Sequence, residues 1–293
     1  MSEEFMEMQN FKQNFLQFLA DWILAPKTFT FVRNGIFKVR IYYKYANLLK
    51  RNEKLRDLFK GKRCFVIGNG PSIKRQDLSL LKHEIKIVCN YFFNHEILKE
   101  WQPTIYCAGD PATSHSIPAY IDYYQNIFRK IDPLFYIFHW TVLEQISNND
   151  EIKITSAQRD KMLGFVSDSV LYEVSDRSQI DFTKTIPTIR HTPMLSIMVA
   201  MYMGCNPIIL IGCDHDYAYK YFQGKYEVEH FYPESNPQII QRTYLQVFED
   251  MFKTYACYRK LNQIALNKGI SILDATDGGF LDTFKKVDYS SLF

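Results

Sequence analysis

What this sequence lacks narrows it first. Its six cysteines (Cys64, Cys89, Cys107, Cys205, Cys213 and Cys257) form no C-x-x-C pair, which removes zinc-ribbon and thioredoxin-like readings. Several sit inside short apolar runs such as "RCFVI", "KIVCN" and "TIYCAG", so they are expected as buried, reduced thiols. No apolar run reaches the roughly 18 residues that a spanning helix needs. The opening "MSEEFMEMQN" lacks the basic start of a signal peptide, so the expected location is cytoplasmic, with a peripheral contact at the inner membrane left open. Charge of one sign is missing as well. Thirty-five basic residues against 32 acidic ones leave a net charge of +3, with no footprint for a nucleic-acid partner. G-x-x-x-x-G-K-[ST] does not occur either, which leaves a P-loop kinase without support.

What is present is length, rings and alternation. A chain of 293 residues suffices for one large α/β domain with an appendage. Twenty Tyr and 23 Phe suit clefts lined with rings, which stack on sugars or bases. Residues 1–60 differ from the rest: Phe11, Phe15, Phe18, Leu19 and Trp22 recur at helical spacing, and basic-aromatic sequence follows. They predict a helical N-terminal appendage, either a cap on the core or a second subunit, or an interfacial membrane contact. From residue 61 to 293, apolar runs ("CFVIG", "IKIVCN", "TIYCAGD", "LFYIFHW", "PIILIGCD", "GISILDA") alternate with helical stretches. One of these is closed by Gly204, and a long one by Gly269. That alternation predicts a Rossmann-like, mostly parallel sheet with helices on both faces. In such sheets ligands bind beyond the carboxyl ends of the strands, at Gly68–Ser72, Asn90, Gly109-Asp110 and Gly212–Tyr217 here.

"VIGNGPSIKRQDL" opens like a dinucleotide fingerprint but has no third glycine. Gly68 and Gly70 permit a tight turn and a close ligand, Asn69 offers an amide, and Pro71 fixes φ. Ser72 is placed to cap a following helix whose N–H groups would favour a phosphate. The second strand argues against NAD: "KIVCN" ends in Asn90 where a dinucleotide fold has an acid for the ribose. The segment "LIGCDHDYAYKYF" then puts Asp214, His215 and Asp216 past a strand end. There they either hold a divalent metal on a nucleotide or cap the next element. His230 follows on an aromatic loop, where a histidine suits a general base near neutral pH.

Taken together, "VIGNGPSIKRQDL", "VCNYFF", "IRHTP" before an apolar helix, "LIGCDHDY" and "HFY" resemble one known group in content and order. The chain resembles the motility accessory factor and 6-hydroxymethylpterin pyrophosphokinase-like proteins of surface-glycan loci, and beyond them the Campylobacter-type bacterial sialyltransferases. The tail "ILDATDGGFLDTFKKVDYSSLF" is similar to that of the polysaccharide-associated members. The resemblance covers roughly residues 61–293 and implies a variant of the GT-A-like sialyltransferase fold. It implies a glycosyltransferase moving a nonulosonic, sialic-acid-like sugar from a CMP-activated donor to a glycan or glycoprotein acceptor, with no cofactor or metal required. It assigns Gly68, Asn69, Gly70, Pro71, Ser72, Asn90, Asp110, Arg190 and Thr192 to the nucleotide. His230 becomes the base, and Asp214, His215 and Tyr217 join it as catalytic residues, with Tyr219 and Tyr221 near the leaving phosphate. Arg190 or Lys220 would hold the donor carboxylate. Two alternatives stand beside this: a Mg-dependent pyrophosphokinase acting on a pterin alcohol with ATP, and a non-catalytic scaffold of envelope-glycan assembly. A homo-oligomer is left open.

Overall fold

The computed structural model describes residues 43–110, 117–227, 229–233 and 241–293. The chain divides into two compact units, residues 1–47 and 48–293. The predicted amphipathic helix around Phe11–Trp22 lies outside the described residues, as does most of the segment considered for membrane contact. Among the described residues no helix is long and apolar enough to cross a membrane.

All six apolar runs named above form strands. They are β1 (Cys64–Ile67), β2 (Ile85–Cys89), β3 (Ile105–Ala108), β4 (Phe135–His139), β8 (Ile208–Ile211) and β9 (Ile272–Asp274). Four more complete the set: β5 (Met162–Phe165), β6 (Ser167–Val170), β7 (Ile186–Thr188) and the short β10 (Lys285–Lys286). Helices α1 (Ile117–Lys130), α2 (Trp140–Ser147), α3 (Ser156–Asp160), α4 (Thr192–Tyr202), α5 (Tyr217–Phe222) and α6 (Tyr244–Asn267) lie between strands. The main sheet has eight strands in the order β10-β9-β8-β1-β2-β3-β4-β5, and every neighbouring pair is parallel. β6 and β7 form a separate parallel pair.

The period-two alternation of the strands sorts their side chains onto two cores. Cys64, Val66, Ile87, Cys107 and Leu210 face one way, against Met194, Leu195 and Met198 of α4 and Tyr258 and Leu261 of α6. Phe65, Ile67, Val88, Tyr106, Phe138 and Ile211 face the other, against Tyr123, Tyr124 and Ile127 of α1 and Val142 and Ile146 of α2. Both faces are therefore covered by helices, and strands buried on both sides read as continuous apolar runs because neither face meets water. Every residue of α4 except Pro193 is buried, which suits a helix lying against the sheet centre. Each such Leu, Ile or Met contributes about 1.5–3 kcal/mol of transfer free energy. All six cysteines are buried and form no disulfide. Asn52, ahead of β1, is almost fully buried and donates to the carbonyls of Gly164 and Phe182.

One local expectation resolves differently. Where an α-helix was expected after Gly70, the chain makes only a five-residue 3-10 turn, Pro71–Arg75, and turns away at Gln76. The long stretch near the end is a single helix from Tyr244. Thr243 starts it with a capping box, its hydroxyl accepting from Gln246 N–H while the Gln246 side chain accepts from Thr243 N–H. Gly204 and Gly269, both in the left-handed region at φ +73° and +69°, terminate α4 and α6 as expected.

Candidate functional site

From β1 the chain builds outward through β2, β3, β4 and β5, and later returns to the other flank through β8, β9 and β10. The switch point is the crevice beyond the carboxyl ends of β1 and β8, the place where open α/β sheets bind ligands. Two turns meet there. Gly68 N–H donates to Ile211 O at 2.8 Å, and Gly70 N–H donates to Gly212 O at 2.9 Å. A Cβ on Gly68 would overlap the Gly212 carbonyl, and one on Gly70 the Asp214 carboxylate. The glycines are thus required by the approach of one turn to the other, a nearer constraint than approach to a ligand.

Asp214 is nearly buried, and it is held by the opposite turn. Its Oδ1 accepts from Ser72 N–H at 3.2 Å and its Oδ2 from the Ser72 hydroxyl at 2.7 Å. Burial pushes its carboxyl above the usual carboxylate range, and the Ser72 bonds oppose that shift. Ser72 and Asp214 therefore occupy each other. The Ser72 N–H expected to face a phosphate is thus engaged by Asp214 Oδ1.

Asn69 is 9% exposed. Its Nδ2 donates to Cys89 O at 3.0 Å, its carbonyl accepts from Phe231 N–H at 3.0 Å, and its Oδ1 is buried without a protein partner. Such an orphaned acceptor fits a ligand hydroxyl or amine. Asn90 follows β2 at φ +47°, a conformation Asn tolerates better than most residues. Its carbonyl accepts from the Tyr106 hydroxyl at 2.6 Å, and its Oδ1 accepts from the Thr192 hydroxyl at 3.2 Å. Thr192 opens α4, so two residues singled out a hundred positions apart are bonded side by side at the crevice.

His230 comes in through its neighbour. The Phe231–Asn69 backbone bond ties this segment to the β1 turn, and the His230 ring lies parallel to Tyr232 at 5.0 Å and 3°. Tyr232 continues to Tyr91 at 5.4 Å and Tyr91 to Tyr123 at 4.9 Å, a run of rings beside Asn90. Phe231 turns the other way, onto Phe92 and His95. Tyr91, Tyr123 and Tyr232 were not singled out in the sequence; the run "NYFF" next to Asn90 was the available signal.

Other candidates are placed elsewhere. His215, at φ +49°, bonds the Tyr258 hydroxyl through Nε2 at 2.8 Å, and burial lowers its pKa to about 3. His191 packs edge-on to it at 5.3 Å, shares a hydrogen bond with Thr254, and is lowered to about 4 by burial. These two half-buried, neutral imidazoles pack together beneath the β8 loop. Tyr217 is half-buried, and burial raises the pKa of its hydroxyl. Arg190 holds Asp250 of α6 at 2.6 Å. Lys220 pairs with Asp216 at 2.8 Å and also with Glu229. Tyr219 stacks on Phe280, and the Tyr221 hydroxyl donates to the Arg242 carbonyl. Asp110 is exposed beyond β3. Among the described residues, no three His, Cys, Asp or Glu side chains are grouped to hold a metal ion.

The tail of the chain closes the crevice on the β9 side. Thr276 accepts from Cys213 N–H at 3.2 Å, Phe280 N–H donates to Asp214 O at 2.8 Å, and the fully buried Asp274 takes Lys286 at 2.6 Å.

The model of the 6-hydroxymethylpterin diphosphokinase MptE-like family matches residues 40–220. The chain belongs to this family. No curated protein matches it. Among solved structures, the chain is similar to the sialyltransferase CstII from Campylobacter jejuni in complex with the substrate analogue CMP-3FNeuAc. That match has 14% identity and a TM-score of 0.45, covering 77% of this chain and 86% of that one. A second is the same enzyme with cytidine-5'-monophosphate, at 13% identity and a TM-score of 0.43, covering 78% and 85%. A third is CST-II with a trisaccharide acceptor and CMP, at 12% identity and a TM-score of 0.42, covering 77% and 86%.

Proposed function

We propose that the protein is a glycosyltransferase that uses a CMP-activated, sialic-acid-like donor and a surface glycan or glycoprotein acceptor, with His230 as general base. One observation carries this reading. The Phe231–Asn69 backbone bond ties the segment carrying His230 to the turn at the switch point, whose Asn69 Oδ1 has no protein partner. In the reaction the acceptor oxygen attacks C2 of the donor as its proton passes to His230. The bond from C2 to the phosphate oxygen breaks, and CMP leaves with that electron pair, inverting the configuration. With Ser72 engaged, the N-terminal turn of α4, beginning at Thr192, is the helix end that faces the departing anion. Arg190, two residues earlier, already holds a carboxylate in Asp250, and the donor carboxylate would exchange with it.

The family description favours a second reading, Mg-dependent pyrophosphoryl transfer from ATP to a pterin alcohol. Its metal would need Asp214 and Asp216. Asp214 already accepts two bonds from Ser72, and Asp216 is paired with Lys220, a cation that a metal ion would have to displace. Sugar transfer leaves both of these contacts in place and exchanges only the Asp250 carboxylate at Arg190.

Calorimetric titration with CMP and with ATP, each with and without Mg²⁺, separates the readings. CMP binding without metal is expected; Mg-dependent ATP binding in its place would overturn the proposal, and the absence of any nucleotide binding would favour a scaffold. With a CMP-sugar, His230→Gln is expected to lower kcat about 10²–10⁴-fold, the usual worth of a general base, at unchanged CMP affinity.

A further inference from the structure

Large apolar side chains stand exposed together where α5 meets the first turns of α6. Phe222, Tyr226, Tyr244, Leu245, Phe248 and Phe252 are each 41–67% exposed. Phe222 stacks on Tyr244 at 5.9 Å and meets Phe248 at 4.9 Å. The buried Tyr221 touches Tyr226 at 5.1 Å and Tyr244 at 5.6 Å, so the rings form one continuous patch. Beneath it Ala218, Tyr221 and Val247 make a small buried cluster that joins the two helices. We propose that this patch docks a second copy of the same chain, α6 against α6 across a two-fold axis. The inference is independent of the reaction assigned above.

Area is the first argument. A Phe or Tyr side chain covers about 150–250 Å² when it is buried. At the observed exposures the patch leaves about 600–700 Å² of apolar surface uncovered per copy. The largest apolar patch of an ordinary monomer is about 300–600 Å². A stable pair needs about 600–1,000 Å² from each partner, so the patch has the size of one half of an interface. Shape is the second argument. Tyr244, Phe248 and Phe252 recur every fourth residue, which aligns their rings in one ridge along α6. Such a ridge packs into the groove beside the same ridge on another helix, the two axes crossing at about −50°. A two-fold axis brings the same surface to both sides of the contact, and Phe248 then lies near its centre.

Charge selects the occupant. The charged side chains that flank the ridge on α6 are paired within the chain, Glu249 with Lys253 at 3.5 Å, and Asp250 with Arg190 at 2.6 Å and with Arg242. Lys220 of α5 is likewise taken by Asp216 and Glu229. These flanks supply neither the spare cations that draw a helix to anionic lipid nor a net charge that would select an oppositely charged protein. A neutral patch of rings with a balanced polar rim matches a copy of itself.

The test is sedimentation velocity on the full chain from about 1 to 100 μM, which spans the weak end for interfaces of this size. A dimer is expected to dominate at the upper end. Phe248→Glu and Phe252→Glu each place a carboxylate in the contact and should weaken the dimer about 30-fold or more, the loss typical of a central anchor. Both positions are exposed in the single chain, so melting temperatures measured on the monomer should hold. Leu134→Glu, at an exposed apolar residue ahead of β4, should leave the dimer as it is. Vesicles of phosphatidylcholine and phosphatidylglycerol in equal parts are run in parallel. A chain that stays monomeric throughout, a dimer indifferent to both Phe substitutions, or one that Leu134→Glu weakens equally would overturn the proposal. Uptake by the vesicles that Phe248→Glu abolishes would also overturn it, because the face would then belong to lipid.

Discussion

Replacing Ser72 by alanine tests the contact on which the crevice is built. The substitution deletes the hydroxyl that donates to Asp214 Oδ2 at 2.7 Å and leaves one carboxylate oxygen of an 8% exposed residue without that donor. A hydrogen bond to a charged group contributes about 1.5–3 kcal/mol. In a domain of this size that corresponds to a fall in Tm of about 3–12 °C. The loss should also depend on pH in a definite direction. Asp214 has a raised carboxyl pKa, so the folded state binds the proton more tightly than the unfolded chain. This residue's contribution to stability therefore falls as pH rises from the unfolded value through the folded one. Without the Ser72 hydroxyl its folded pKa rises further, so the destabilisation should be larger at neutral pH than in acid strong enough to protonate Asp214. The assay is urea unfolding of the wild type, Ser72→Ala, Asp214→Asn and the double variant at both pH values. A Ser72→Ala effect below about 0.5 kcal/mol, or strictly additive single and double variants, would refute the coupling.

Three further outcomes follow from neighbouring geometry. Gly70→Ala places a Cβ on the Asp214 carboxylate and should both lower Tm and weaken CMP binding, read by thermal melts and calorimetry. Thr192→Val removes the donor to Asn90 Oδ1 with little change of shape. CMP affinity should fall about 3–10-fold, roughly the worth of one neutral hydrogen bond, and Tm should fall by a few degrees because the buried Thr192 no longer satisfies Asn90 Oδ1. His191 and His215 are held neutral, with pKa values lowered to about 4 and about 3, so the unfolded chain takes up their protons first. Stability from them is present above the ordinary histidine value near 6.5 and is lost as pH falls toward 4. His215→Asn, which tolerates the left-handed backbone, should flatten the acid limb of a Tm–pH profile.

How legible the site was depended on what each residue's role required. Gly68, Gly70 and Asn90 stood at or just past strand ends, readable as the points where apolar runs stop, whereas Thr192 opened an apolar helix and His230 lay on an aromatic loop. Their convergence followed from the parallel sheet, which collects every carboxyl end on one edge. The engagement of Ser72 with Asp214 was hidden, because a hydroxyl that caps a helix and one that anchors a carboxylate 142 residues away look alike in one dimension. His215 was misleading for the same reason. As a rim residue it resembled a catalytic group, yet its positive φ turns it inward to Tyr258.

The sequence by itself determined the sheet and its coverage. A run such as "CFVI" or "IILI" can only be buried on both faces, and helices such as α4 that are apolar all round must lie against it. What only the tertiary structure decided was which polar groups are spent and which remain for a ligand. Ser72, Asp214, His191 and His215 are consumed by partners within the fold, while the Asn69 and Gln76 oxygens are left without one. Hydrogen-bond partners are assigned by distances between segments far apart in the chain, and that assignment exists only once the turns beyond β1, β2 and β8 have met.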